Sequence, residues 1–120
     1  MIDHSLVRPE LTEGDIVEGC RLAKSYHVAS VSVRPSDVDA AVRELQGSDV
    51  AVGSVAGFPH GSSTTGTKLY EARDLLRRGA KEIDMVLNRH FFYLLVLPEI
   101  PRVVWPLARA SECTLYKTPW

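Results

Sequence analysis

The chain has 120 residues, the size of a single domain that can bury a core. Its 14 lysines and arginines nearly balance 15 aspartates and glutamates, so the net charge is -1. That balance gives no long-range field to attract nucleic acid or an anionic membrane. We therefore expect a small molecule as the ligand, and neither nucleic acid nor membrane as a partner.

Two further features concern the cellular compartment. The longest apolar run, residues 91–97, is far shorter than the roughly 20 residues of a membrane span, and the first residues lack the pattern of a signal peptide. Cys20 and Cys113 are widely separated and form no Cys-x-x-Cys pair, which fits a reducing compartment. We expect a cytoplasmic protein.

The first part of the chain predicts a helix followed by a short strand. Thr12, with Asp15 three residues later, is typical of a helix start. Apolar residues then recur at helical spacing at Ile16, Cys20 and Ala23. We expect this helix to end near Tyr26. Residues 29–33 alternate small or polar residues with valine before Pro35, which predicts a strand with two different faces.

The next segment repeats the order of helix and strand twice. A second helix is predicted to begin at a Ser36 cap and to stop at Gly47, with an apolar stripe at Val38, Ala41, Val42 and Leu45. Residues 50–55 are nearly all apolar, as in a strand covered on both faces. A third helix is predicted over residues 65–78, lined by Leu69, Ala72 and Leu76. Residues 82–88 are the third predicted strand.

Strands that alternate with helices give a parallel sheet, so the predicted fold class is α/β. The pattern leaves an open sheet and a barrel as alternatives. Residues 89–120 differ from the rest, since they contain no glycine, four of the prolines and both tryptophans. Prolines at that spacing interrupt any long helix. We therefore predict two parts: a regular β/α part at 1–88 and a divergent tail rich in proline and aromatic residues at 89–120.

Asp84 is the most informative single residue. An ionised carboxylate within an apolar strand is unfavourable unless a cation or several donors contact it. The two-residue period of a strand places Asp84 on the face opposite Ile83, Met85 and Leu87. Two explanations remain open: a functional acid facing a barrel interior, or a structural acid paired with a basic residue. Ser30 and Ser32 give a similar signal on the first predicted strand, with hydroxyls bonded to backbone as the alternative.

Residues 61–68 (GSSTTGTK) stand between a strand and a helix but do not match the phosphate-binding P-loop, because Thr67 separates Gly66 from Lys68. A capped helix start is the favoured interpretation, and weak phosphate binding at the helix N-terminus is the alternative. The four histidines show no spacing typical of metal ligands, so we expect no metal site.

Five segments taken together resemble deoxyribose-phosphate aldolases: residues 2–6 (IDHSL), 29–35 (ASVSVRP), 57–61 (GFPHG), 67–68 (TK) and 82–88 (EIDMVLN). The resemblance covers about residues 2–88. It implies a (β/α)8 barrel that reversibly cleaves 2-deoxyribose 5-phosphate to glyceraldehyde 3-phosphate and acetaldehyde through a lysine Schiff base, without metal or other cofactor. The chain is then a partial barrel, with the first three β/α units and the divergent tail.

The resemblance also implies roles for individual residues. Asp84 matches the family's strand-three aspartate, which takes part in the proton relay around the Schiff base. Asp3 and Ser5 match positions near the substrate pocket, and Ser32 stands where many members have cysteine. We predict Asp84 as catalytic, and Asp3, Ser5 and Ser32 as contacts to a sugar phosphate.

The chain departs from the family after residue 88. The family's Schiff-base lysine, its companion lysine and its phosphate-binding turns lie on later strands. Lys117 shares a Lys-Thr pair with the lysine motif but stands at a different position, and we treat this as coincidence. We therefore expect this form to be inactive alone, with open sheet edges as a route to self-association. The alternatives are a non-enzymatic module for a phosphorylated ligand or partner, and a truncated or frame-shifted gene product.

Overall fold

The computed structural model describes residues 2–88 and 115–117. They form one five-stranded sheet in the order β1-β2-β3-β4-β5, with strands at Asp3–Leu6, Ser30–Val33, Ala51–Ala56, Glu82–Val86 and Leu115–Lys117. Strands β1 to β4 are parallel, and β5 is antiparallel to β4. The helices α1, α2 and α3 span Glu13–Tyr26, Val38–Glu44 and Thr65–Arg77. In the described part of the chain, no helix combines the length and apolar character needed to cross a membrane.

The α/β class and the parallel sheet are confirmed, but the sheet has one more parallel strand than the three predicted. The additional strand, β1, has the sequence Asp-His-Ser-Leu, which lacks the β-branched and aromatic residues typical of strands. Its extended conformation is supported by pairing, since Asp3 is the Cα partner of Ser30 and Leu6 is the partner of Val33. The residues of a strand do not reveal which strand it pairs with, and the sequence pattern therefore did not predict β1.

The first helix begins where the sequence predicted. The hydroxyl of Thr12 accepts a hydrogen bond from the backbone N–H of Asp15 at 3.3 Å, and the Asp15 carboxylate accepts from the backbone N–H of Thr12 at 2.7 Å. This reciprocal pair satisfies two N–H groups that the helix itself cannot bond. The helix stops at His27, whose φ of +49° takes the chain out of the helix toward β2.

The second helix begins later than predicted. Pro35–Asp37 forms a separate 3₁₀ turn and α2 starts at Val38, so Ser36 is not its cap. The Ser36 hydroxyl donates instead to the Asp37 carboxylate at 3.1 Å. The prediction was wrong here because a serine followed by a helical stripe does not reveal whether the first turn is 3₁₀ or α.

The two faces of the parallel sheet differ in chemistry. On one face, apolar residues of all four strands join residues of all three helices in a single core, which includes Leu6, Val31, Val52 and Ile83 from the strands and Ile16, Cys20, Val38, Ala41 and Leu75 from the helices. The helices thus cover one face of a sheet whose strands are neighbours in chain order. This single direction of winding is that of a barrel, because doubly wound sheets place helices on both faces.

The predicted division at residue 88 falls mostly outside the described residues. No regular element was predicted within 89–120, yet β5 lies in that segment. The division into two parts stays a prediction.

Candidate functional site

The residues predicted to form the site lie on the sheet face opposite the helices. Between β1 and β2, Asp3 is paired with Ser30 and Ser5 with Ser32. Paired residues, and residues two apart on a strand, face the same side of a sheet. Asp3 and Ser5 therefore share a face with both serines, while the intervening Val31 belongs to the helix-side core.

The same face continues across β3 to Asp84. Ser32 is paired with Gly53 on β3, and Gly53 is paired with Glu82 on β4. Asp84 follows Glu82 by two residues and so points to the same side. The structure thus brings all four predicted site residues onto one face. The roles predicted for them remain predictions.

Ser32 and Asp84 are linked although a strand lies between them. The Ser32 hydroxyl donates to Asp84 Oδ2 at 3.5 Å, a weak contact that is longer than the usual O–H···O hydrogen bond of about 2.5–3.0 Å. On β3, Gly53 is the Cα partner of Ser32 and Val55 is the partner of Asp84. A Cβ atom on Gly53 would lie 3.0 Å from Ser32 Oγ, so the absence of a side chain there leaves room for the Ser32 hydroxyl.

A second serine on β2 contacts a carboxylate on the same face. The Ser30 hydroxyl donates to Asp3 Oδ1 at 2.9 Å, and Ser30 is fully buried whereas Asp3 is exposed. The Ser30 hydroxyl thus donates to an acidic side chain, and the Ser32 hydroxyl makes a weaker contact of the same kind. The result is a polar surface that runs from β1 to β4.

The loop after β3 closes over the end of β4. The backbone N–H of Gly57 donates to Glu71 Oε2 at 2.8 Å, and the N–H of Gly61 donates to the Gly57 carbonyl at 2.8 Å. Gly61 has a φ of +66°, and a Cβ atom on it would lie 2.2 Å from the Leu87 carbonyl oxygen. Only glycine fits this approach, so the loop is held against the carboxyl end of β4, the edge at which barrel enzymes place their sites.

Lys68 is a buried residue of this edge that the sequence interpretation missed. Its Nζ donates to the Val86 carbonyl at 2.7 Å, and the side chain is 6% exposed. A Cβ atom on Gly57 would lie 2.8 Å from Lys68 Cε, so the lysine stem passes directly beside the loop after β3. Lys68 therefore connects α3, that loop and the end of β4.

The sequence analysis chose the wrong face of α3 as the buried one. The sequence placed Leu69 on the buried side, but Leu69 is 46% exposed, while Lys68 and Leu75 are buried. The spacing of Lys68, Ala72 and Leu75 is itself helical. The predicted stripe of α3 did not include Lys68, because lysines are seldom buried without a partner, and here the partner is the Val86 carbonyl.

The start of α3 is a capped helix, as expected. Thr64 Oγ1 accepts from the backbone N–H of Thr67 at 3.3 Å and exchanges a second hydrogen bond with the Thr67 hydroxyl at 2.9 Å. One of the N–H groups at this terminus is therefore satisfied within the protein.

The thiol of Cys20 is separate from this surface. It belongs to the core between α1 and the sheet, and burial raises its pKa to about 11. The thiol therefore stays protonated at neutral pH and is a poor nucleophile.

Lys117 lies opposite Asp84 in the sheet. In the antiparallel β4–β5 pair these two residues are Cα partners. No contact of this kind was expected, since Lys117 was assigned to the divergent tail.

Comparisons with known proteins agree with this geometry. No protein-family model matches the chain. A deoxyribose-phosphate aldolase from Treponema denticola is 51% identical over 87 residues, which are 72% of this chain and 40% of that protein. One from Clostridium kluyveri is 50% identical over 88 residues, 73% of this chain and 40% of that protein. The structure of the Aeropyrum pernix enzyme has a TM-score of 0.71 at 29% identity, covering 90% of this chain and 46% of that one.

The chain therefore spans less than half the length of the proteins it matches. The four parallel strands and their helices form a partial (β/α)8 barrel. Over its N-terminal 72%, the chain is homologous to part of the deoxyribose-phosphate aldolases, a family of aldolases.

Proposed function

We propose that this chain supplies the first strands of a deoxyribose-phosphate aldolase barrel, and that it does not complete the family reaction alone. The observation that supports the proposal is the polar sheet face on which Ser32 of β2 and Asp84 of β4 are linked past Gly53. This face lies in the segment that is about half identical to the aldolases. The substrate class is a sugar phosphate, 2-deoxyribose 5-phosphate.

In this proposal Asp84 exchanges a proton with the reacting substrate. A carboxylate that accepts from a hydroxyl is held in one orientation, and general acid–base catalysis requires such positioning within hydrogen-bond reach of the substrate. Ser32 orients the Asp84 carboxylate from β2. Asp3 and Ser5 extend the same polar face across β1, where they contact the sugar phosphate.

The nucleophile is the part that the chain lacks in this proposal. A lysine that forms a Schiff base must be partly neutral, commonly because a second cation lies beside it. Lys68 is buried with its amine bonded to the Val86 carbonyl. Lys24 lies exposed on α1, and Lys81 lies exposed between α3 and β4. Two of these three amines are thus in contact with solvent and the third already donates to a carbonyl, so none of them is arranged as the nucleophile.

Reductive trapping tests the proposal. The full chain is incubated with 2-deoxyribose 5-phosphate and borohydride, and its intact mass is measured. We expect no adduct, whereas the Treponema denticola relative, treated identically, serves as the positive control. A stable adduct on any lysine contradicts the proposal, and Lys117 is the first to map because it is the Cα partner of Asp84.

Binding without chemistry is the second candidate function. The helix start at Thr64 supports it less, because the Thr67 N–H that an anion would use already donates to Thr64. Calorimetry with 2-deoxyribose 5-phosphate separates the candidates, since a heat of binding without a trapped adduct favours the binding module. The buried, unpaired thiol of Cys20 supports a reducing, cytoplasmic location. A role in deoxyribonucleotide and carbohydrate catabolism belongs to the main proposal and is supported by the likeness to the aldolases.

A further inference from the structure

The edge of β4 carries the strand β5, which runs in the opposite direction to the rest of the sheet. Leu115, Tyr116 and Lys117 are the Cα partners of Val86, Met85 and Asp84. All other neighbours in the sheet are parallel. A (β/α) barrel closes by adding a parallel strand at this edge, so β5 uses backbone groups that the next barrel strand would need.

The length and connection of β5 make it a weakly held element. It pairs over three residues only, and 28 residues, 87–114, separate it from the end of β4 at Val86. Bringing together segments that are far apart in the sequence is entropically unfavourable, and a three-residue ladder offsets little of this cost, so such a strand opens more readily than the core strands. An edge strand of this kind nevertheless shields the sheet from uncontrolled pairing with other chains.

We propose that β5 is a displaceable cap on the β4 edge, paired where the next parallel strand of a barrel would pair. Two observations support the cap. β5 runs antiparallel to β4, and it pairs over three residues only. The cap does not rest on the proposed function.

The test uses the full-length chain and one disrupted strand. Tyr116→Pro removes a backbone donor from the centre of β5 and disfavours its extended pairing. Ser111→Pro, outside the strand, is the matched control. Hydrogen exchange is measured at the β4 amides that face away from β3, and we expect Tyr116→Pro, but not Ser111→Pro, to speed their exchange at least tenfold. Equal exchange in all three proteins overturns the cap.

Discussion

Two residues help to shape the candidate site without taking part in the proposed reaction. Lys68 joins the end of β4 to α3 through its bond to the Val86 carbonyl. Gly53 leaves room for the Ser32 hydroxyl, which contacts Asp84. Asp84 and Ser32 were singled out from the sequence because alternation within strands sorts polar from apolar faces, whereas Asp3 and Ser5 were named from the resemblance alone. Lys68 was not predicted, because its partner is a backbone carbonyl, which no sequence pattern records.

Replacing Lys68 by methionine is expected to destabilise the protein. The change removes the donor to Val86 O in a buried site, and a buried carbonyl without a partner costs about 1–3 kcal/mol. Urea unfolding measures the free energy of unfolding. Lys81→Met is the control, because it removes the same charge from an exposed residue and should change stability by less than about 0.5 kcal/mol. Equal losses for the two variants would contradict the role assigned to Lys68.

Adding a methyl group at Gly53 is expected to destabilise the protein through Ser32. Its Cβ would lie 3.0 Å from Ser32 Oγ and 3.6 Å from the Val31 carbonyl oxygen, and overpacking of this kind costs about 1–3 kcal/mol. In a Ser32→Ala background the loss should shrink, which a double-mutant cycle measures. Gly66→Ala, where no atom lies within 4 Å of the new methyl group, is the control and should stabilise α3 by about 0.5–1 kcal/mol. If the loss of stability is the same in the Ser32→Ala background, the new methyl group clashes with the Val31 carbonyl oxygen and not with Ser32.

Elements differ in how completely their own residues specify them. α1 was predicted nearly to its ends, because Thr12, Asp15 and the apolar stripe are all local signals. Strands β3 and β4 were found within one or two residues by apolar content. β1 and the start of α2 were not, since the first depends on pairing with β2 and the second on a 3₁₀ turn at Pro35–Asp37. β5 depends on β4 and has no independent signal.

The start of α1 makes part of the stability depend on pH. Hydrogen bonds from the Thr12 hydroxyl and N–H hold the pKa of the Asp15 carboxyl below its usual value of 3.8. A lowered folded-state pKa favours the ionised folded form, so this stabilisation is present above the unfolded-state pKa and is lost as pH falls through the folded-state pKa. We therefore expect Asp15→Asn to be less stable than the original chain at pH 7, with the difference vanishing at low pH.

Urea unfolding between pH 7 and pH 2.5 follows this difference. Glu13→Gln is the matched control, since it removes another carboxylate from the same first turn without removing the bonds that Asp15 makes to Thr12. If both variants lose the same stability with the same pH dependence, the effect belongs to the helix dipole and not to the capping box.

At the scale of the whole molecule, the class of fold was predictable and the extent of the barrel was not. Alternating helices and strands already required a parallel sheet, but only the placement of all three helices on one face distinguishes a barrel from an open sheet. The polar surface, too, could be recognised only from the three-dimensional structure. Its residues were identified one by one from the sequence, and their meeting across three strands followed only from the register of pairing.

The order of the parallel strands bears on how such a chain is made in the cell. Each of β1 to β4 pairs with the strand that comes next in the sequence, and the helix-side core joins elements that are consecutive along the chain. Contacts between near neighbours in sequence form quickly, and synthesis proceeds from the N-terminus. The hydrophobic layer can therefore assemble while the ribosome is still translating, and the polar face forms with it, because the same four strands carry both.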